Sequence, residues 1–169
     1  MKGMDITMNR CDKINYYLDI AEQVSKRCTC IRRHYGAVIV KDDEIISTGY
    51  VGAPRGRKNC TDMNACIREE KKVARGERFE LCRSVHAEAN AIVSASRRSM
   101  IGGAIYLTGI DVSTGNYVEN ANSCAMCKRL IINAGISKVY IRDDKENYRI
   151  ICVDDWIEND ESLIGTLGY

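Results

Sequence analysis

The stretch GAVIVKDDEIISTGY at residues 36–50 decides the fold class, because it holds two short apolar runs around an acidic turn. The runs at 37–40 and 44–48 are rich in β-branched residues, and the KDDE turn between them is polar. This pattern predicts a β-hairpin. Before it, residues 12–27 carry apolar side chains at helical spacing, which predicts an amphipathic helix with one buried face.

Beyond the hairpin, helical and strand patterns alternate. The sequence predicts a helix from Ala87 to about Arg97, a strand in GAIYLTG, a helix in CAMCKRLIINAG that ends at Gly135, a strand in ISKVYIR, and a final strand and helix in IICVDDWIENDE. Helices that alternate with strands after a hairpin indicate an α/β sandwich with a mixed sheet.

Length and composition limit the functional classes. A chain of 169 residues predicts one domain, 1–169, and 45% hydrophobic with 28% charged residues is typical of a globular protein. The net charge of +2 requires neither a nucleic-acid nor a membrane partner. The N-terminal residues lack the apolar core of a signal peptide, and no run reaches the length of a membrane span. We therefore expect a cytoplasmic protein.

Nine cysteines, an odd number without a secretory signal, favour metal ligation or catalysis over a disulfide framework. Several of them fall in or near a segment at about 51–83 that is rich in Gly, Arg, Lys and Cys. The hydrophobic periodicity of this Cys-rich segment predicts at most a short helix at 64–75. So long an irregular segment is unusual in a compact domain unless it is functional or held in place by other groups.

The residues that carry chemistry are in SVHAEANAI, residues 84–92, and in the later CAMC. By itself His86 followed by Glu88 also fits the acidic first turn of an ordinary helix. Catalytic zinc, however, has three protein ligands and an open position, and one imidazole with two thiolates is an accepted set. His86, Cys124 and Cys127 complete that set. Glu88 would lie beside the open position as general acid and base.

The sequence resembles the cytidine and deoxycytidylate deaminase superfamily, and more closely its deoxycytidylate branch. The matching pieces are CIRRHYGAVIVKDDEIISTGY, GYVGAPRG, HAEANAI and CAMCKRLIINAGISKVYI, in the family's order over roughly residues 12–142. The resemblance implies a cytidine-deaminase-like three-layer α/β/α sandwich around a five-stranded mixed sheet. It also implies catalytic Zn²⁺ on His86, Cys124 and Cys127, proton transfer by Glu88, and hydrolysis of a nucleotide substrate, dCMP, to dUMP and ammonia. Family members are typically homo-oligomers, and many respond to dCTP and to dTTP with Mg²⁺.

Two positions depart from the family pattern. Ser123 stands where the family usually has proline before the first CxxC cysteine. Val51 stands in GYVG where the family has GYNG, so an asparagine expected to bind substrate is replaced by a side chain that cannot hydrogen-bond. Val51, Gly52, Ala87 and Ser123 are the residues expected beside the substrate. The loop at 111–122 is longer than usual and fits a lid, an oligomer contact or a solvated insertion.

Four further cysteines suggest a second, structural zinc, because a closed site takes four ligands. Cys30 and Cys60 resemble two ligands of such a site in some relatives, and Cys66 and Cys82 would complete it, although Cys28 could replace Cys30. The alternative is that these thiols are reduced and bind no metal. A basic group near the same loops could hold a nucleotide phosphate or form a solvated face; its members are Arg32, Arg33, Arg55, Arg57 and Lys58.

Two other functions compete with a deoxycytidylate deaminase. One is deamination of another base, nucleoside or polynucleotide, including the tRNA-adenosine type, which the absence of a strong basic excess disfavours. The other is a noncatalytic zinc module. Glu88 discriminates against the module, because a structural metal site has no need of a carboxylate beside three ligands.

Overall fold

The computed structural model describes residues 10–160, so residues 1–9 and 161–169, the ends of the predicted domain, lie outside it. Helix α1 (Lys13–Ser25) begins after Asp12, whose side chain accepts hydrogen bonds from two backbone N–H groups of the first turn. The predicted hairpin is confirmed as β1 (Arg33–Lys41) and β2 (Glu44–Tyr50), which pair antiparallel. Both strands are longer than the apolar runs indicated.

The remaining elements are α2 (Cys60–Met63), α3 (Ile67–Glu70), a 3-10 helix (Phe79–Leu81), α4 (Ala87–Val93), α5 (Arg97–Met100), β3 (Ala104–Asp111), α6 (Ala125–Ala134), β4 (Lys138–Arg142), β5 (Tyr148–Cys152) and α7 (Val153–Glu158). The strands form one five-stranded sheet in the order β2-β1-β3-β4-β5. Only the β3–β4 pair is parallel, so the sheet is mixed, as expected.

Helices cover both faces of the sheet, which confirms the three-layer α/β/α sandwich. On one face α1 buries Leu18 and Ala21 in a cluster with Val38 of β1 and Tyr106 of β3. The core on the other face is larger, and α4 and α6 pack against each other there. Its fully buried members include Ala87, Ala91, Ile105, Leu107, Ile131 and Ile141.

Two predicted helices are shorter than the sequence pattern suggested. The helix predicted from Ala87 to about Arg97 ends at Val93, and the chain restarts as α5 after Ser96, whose hydroxyl accepts a hydrogen bond from the Ser99 N–H. The prediction of one continuous helix was therefore wrong, because a serine cap begins a new helix. In the segment at 64–75, α3 covers four residues.

Glycine at position 49 allows α4 to lie directly on β2. A Cβ atom there would be 2.2 Å from the Ala87 carbonyl oxygen and 2.3 Å from the Ala91 nitrogen, both of the α4 backbone. No side chain fits such a gap, so the close approach requires glycine. The buried Ser47 hydroxyl, which donates to the Ala91 carbonyl at 2.8 Å, fixes the same contact. Together these contacts set where α4 begins.

Within residues 10–160, none of the helices is long and apolar enough to cross a membrane.

Candidate metal centre

Two helix starts bring the predicted metal ligands together. His86 is the N-cap residue of α4, Cys124 is the N-cap residue of α6, and Cys127 lies in the first turn of α6. The His86 Nδ1 atom is 3.4 Å from the Cys124 Sγ and 3.5 Å from the Cys127 Sγ. Residues 38 positions or more apart in the chain thus converge, as the sequence predicted.

The arrangement fits a zinc ion. Nitrogen and sulfur ligands at ~2.0 and ~2.3 Å from a tetrahedral ion lie about 3.5 Å apart, close to the distances found here. Within residues 10–160, these three side chains form a group that could hold a metal ion, because their ligand atoms all lie within 4.8 Å of one another. Three ligands leave a fourth position open.

The close approach of the three side chains shifts their pKa values. A hydrogen bond from the Cys127 thiol lowers the pKa of Cys124 to about 4, and His86 adds to the effect. The same hydrogen bond raises the pKa of Cys127. Burial would lower the pKa of His86, but hydrogen bonds to Cys124 and Cys82 raise it to about 10. Without metal, an imidazolium therefore faces one thiolate and one thiol.

Glu88 lies in the first turn of α4 and is buried beside this trio. Burial raises the pKa of its carboxyl, and the nearby His86 charge opposes that shift only in part. The neighbouring Ser123 hydroxyl helps to lower the same pKa, yet its buried oxygen forms no hydrogen bond of standard geometry. The site thus holds an acidic group poised to exchange protons and a hydroxyl available to a ligand.

A cavity of about 390 Å³ is lined by His86, Cys124 and Glu88, whereas Cys127 is buried and is not part of its wall. Its wall combines arginines, asparagines, thiols and two aromatic rings around the reactive groups. The side chains include Arg32, Arg33, Arg68, Arg75, Asn120, Asn122, Tyr35, Phe79, Val51, Ser123, Cys30, Cys66 and Cys82. Among the described residues that line it, four arginines accompany one carboxylate, so the cavity favours an anionic ligand.

The expected substrate contacts divide between two places. Val51 and Ser123 line the cavity. Ala87 is fully buried in the core, and Gly52 pairs with Val85 in an isolated β-bridge, so neither of the two forms part of the cavity wall.

The basic residues also divide. Arg32 and Arg33 face the cavity as the sequence suggested, whereas the exposed Arg55, Arg57 and Lys58 are not part of its wall. Arg68 and Arg75 were missed, because a solvated charge and a cavity-lining charge look alike in a sequence. Only their place in the Cys-rich segment could have drawn attention to them.

The four cysteines of the predicted second site lie near one another, but their sulfur atoms are not close enough together to form a metal site. Burial raises the pKa of Cys60, and Cys30, Cys82 and Cys66 add smaller electrostatic contributions of the same sign. Within residues 10–160 they do not form a group with ligand atoms inside 4.8 Å. Burial disfavours the Cys82 thiolate, but hydrogen bonds with His86 and with the Ser84 backbone, together with the positive charges of His86 and Arg68, outweigh burial and lower the pKa of Cys82.

Cys28, the alternative ligand to Cys30, has a different role. Its thiol donates to the Tyr35 carbonyl at 3.0 Å, and burial raises its pKa to about 11. It is a protonated structural thiol.

The loop at 111–122 packs on its own chain. The Tyr117 hydroxyl donates to Glu22 of α1 at 2.7 Å, and Val118 and Ala121 are buried. The Glu119 carbonyl accepts a hydrogen bond from Arg75 at 2.7 Å, which ties the loop to the Cys-rich segment. The end of the loop therefore forms part of the cavity wall.

Comparison with known proteins agrees with this geometry. The family model of the cytidine and deoxycytidylate deaminase zinc-binding region matches residues 11–142. The deoxycytidylate deaminase of Mycobacterium phage D29 is 34% identical over 137 residues, which are 78% of this chain and 95% of the relative. That of Schizosaccharomyces pombe is 31% identical over 125 residues, 74% of this chain but 35% of the longer relative.

Solved structures show the same similarity. The crystal structure of the dCMP deaminase from cyanophage S-TIM5 in complex with dCMP and dUMP superimposes with a TM-score of 0.53 at 27% identity. The match covers 76% of this chain and 79% of that one.

We predict that metal binding releases protons and strengthens with pH. Between the pKa of Cys124, about 4, and that of His86, about 10, the metal-free site holds one proton on His86 and one on Cys127. A metal ion displaces both, so about two protons should leave and the affinity should rise about 100-fold per pH unit. Chelator competition at several pH values, with proton release followed by indicator dye, measures this; a pH-independent affinity would contradict it.

Proposed function

Because this chain belongs to the cytidine and deoxycytidylate deaminase family, whose zinc-binding region spans its residues 11–142, we infer that its site deaminates dCMP to dUMP with release of ammonia. The family makes the chain a hydrolytic deaminase. The choice of dCMP is supported by the names of relatives at 34% and 31% identity and by the dCMP and dUMP bound in the S-TIM5 structure.

The observation that carries this proposal is that His86, Cys124 and Glu88 line one cavity together with four arginines, while Cys127 is buried within reach of His86. The trio would hold Zn²⁺, which supplies Lewis acidity that makes water a nucleophile near neutral pH. Glu88, whose pKa burial raises, takes one proton from the attacking water and delivers it to N3 of the base, and it then transfers the second proton from the new C4 hydroxyl to the leaving amino group. The C4–N bond breaks, a C4–O bond forms, and ammonia leaves.

The arginines favour a nucleotide over a nucleoside. Arg33 is only loosely paired, with its Nε 3.9 Å from the Asp111 carboxylate, and Arg75 is exposed apart from its bond to the Glu119 carbonyl. Both act electrostatically on Tyr35, whose pKa burial raises to about 12, so their charges reach the same part of the cavity. Guanidinium groups with free donors bind phosphate well.

The Val51 side chain does not oppose this proposal. It packs in the core and forms part of the cavity wall, and its backbone N–H and carbonyl hydrogen-bond to the Tyr35 carbonyl and the Thr29 N–H at 3.1 Å. Valine offers the substrate an apolar contact and no hydrogen bond. Neither deamination of another base, nucleoside or nucleotide nor a noncatalytic zinc module is favoured.

Homo-oligomeric assembly and regulation by a nucleotide with Mg²⁺ stay predictions from the family resemblance.

We expect ammonia release from dCMP to exceed that from deoxycytidine, CMP, cytosine and adenosine. Glu88→Gln, which keeps the size of the side chain, should lower kcat about 10²–10⁴-fold because the proton carrier is lost, with zinc content unchanged. Ammonia is measured by a coupled assay and zinc by atomic absorption on the same samples. Preferential turnover of another compound would contradict dCMP as the substrate. Undiminished activity of Glu88→Gln would show that Glu88 is not the proton carrier.

Arg75→Gln should raise KM for dCMP about tenfold or more while turnover of deoxycytidine stays unchanged, because only the nucleotide carries the phosphate that Arg75 would bind. Arg57→Gln is the matched control, since Arg57 is exposed and is not part of the cavity wall. An equal loss with both substrates would indicate that Arg75 acts through the structure rather than through phosphate.

A second zinc on Cys30, Cys60, Cys66 and Cys82 is also a proposal, supported by the place of Cys30, Cys66 and Cys82 in one cavity wall and by their electrostatic influence on Cys60. Because the described sulfur atoms do not form a group within 4.8 Å, the thiols would have to close around the ion. Cys66→Ser should remove one zinc equivalent and expose residues 51–83 to protease, whereas Cys28→Ser should do neither, because Cys28 is bonded to a carbonyl. Unchanged zinc content in Cys66→Ser would eliminate the site. Zinc and limited proteolysis are measured on the same preparation.

A further inference from the structure

An aromatic ring from the Cys-rich segment stands against the metal ligand His86. Phe79, the only phenylalanine in the chain, opens the 3-10 helix Phe79–Leu81. Its ring meets the His86 imidazole edge to face, with the centroids 5.2 Å apart and the planes at 89°. Perpendicular aromatic pairs of this kind are favourable and directional, so the contact restrains the tilt of the imidazole as well as its position.

The Phe79 ring is itself fixed by a buried cation. The Arg68 guanidinium carbon lies 4.6 Å from the centre of the Phe79 ring, and Arg68 is only 8% exposed. One terminal nitrogen of Arg68 donates to the carbonyls of Ala74 and Glu77, which holds the guanidinium in place. Burying a guanidinium is costly unless its partners compensate; here the two carbonyls and the ring compensate in part, while the buried Nε of Arg68 has no hydrogen-bond partner.

His86 needs such support, because a metal-bound imidazole usually has its second nitrogen held by a carboxylate or a carbonyl. In the described part of the chain, the side chains that hydrogen-bond the imidazole are the thiols of Cys124, Cys127 and Cys82. A thiol is a weak partner. The Phe79 ring therefore provides directional packing where hydrogen bonding is weak.

We propose that Phe79, braced by Arg68, is a positioning residue that orients His86 for metal binding, and that it couples the Cys-rich segment to the metal centre. The inference rests on the proposed function only in requiring a metal at His86, and it is independent of the substrate. The proposal also gives the Cys-rich segment a role whether or not a second zinc is bound there.

The test measures the metal site directly. Phe79→Leu should weaken Zn²⁺ affinity about 10–100-fold, as loss of a group that orients a ligand does, and should shift the visible spectrum of the Co²⁺-substituted protein. Phe79→Tyr keeps the ring and should restore both. Leu81→Ala is the control, because Leu81 lies in the same helix but outside the cavity wall; it should lower the melting temperature and leave the cobalt spectrum native.

Native affinity and cobalt spectrum in Phe79→Leu would overturn the proposal, as would equal spectral shifts in Leu81→Ala. If Phe79→Leu does not fold, Arg68→Lys decides in the same way, because it keeps the charge but loses the planar stack and one of the anchors of Phe79. A shifted metal spectrum in Phe79→Leu, combined with no dCMP turnover by the unaltered zinc-loaded protein, would support the positioning role while refuting the proposed substrate, so the two failures are distinguishable.

Discussion

The direct contact of α4 with β2 at Gly49 is the constraint on which the site depends. Because no side chain separates the two backbones, α4 lies closer to the sheet than ordinary packing allows, and Ser47 fixes its register by bonding to Ala91. The first turn of α4 carries His86 and Glu88, so the same contact places both of them opposite the start of α6. A helix held farther from the sheet would move the imidazole away from the two thiols.

Because the first turn of α4 lies opposite the start of α6, the ionisable groups of the site are close together and shielded from water. The thiols and the imidazole share protons among themselves because each is desolvated and within hydrogen-bond reach of another. Glu88 is buried beside them and holds its proton more readily than an exposed carboxyl does. A divalent cation would compensate the negative charge of two thiolates, which explains why so many ionisable groups can lie together in a folded protein.

The Cys-rich segment forms one wall of the cavity. It has little regular structure, yet it supplies Arg68, Arg75 and Phe79 to the wall. Contacts with neighbouring elements hold it in place: Arg32 pairs with Glu69 at 2.8 Å, and Arg75 reaches the loop that follows β3. A segment that resembles an insertion in the sequence therefore forms a wall of the site, and it supplies two of the four arginines of the cavity.

The sequence by itself determined the hairpin, the alternation of helices and strands, and the residues of the metal trio, because these follow from hydrophobic period and from motifs whose spacing is local. It did not determine where α4 ends, since Ser96 restarts the helix, nor which arginines face the cavity. Arg55 and Arg68 have the same chemistry in the sequence, but one is exposed and the other is buried against an aromatic ring. Only the tertiary structure decided this, because the burial of a charged side chain depends on partners that are distant in the chain and converge only when the sheet is assembled.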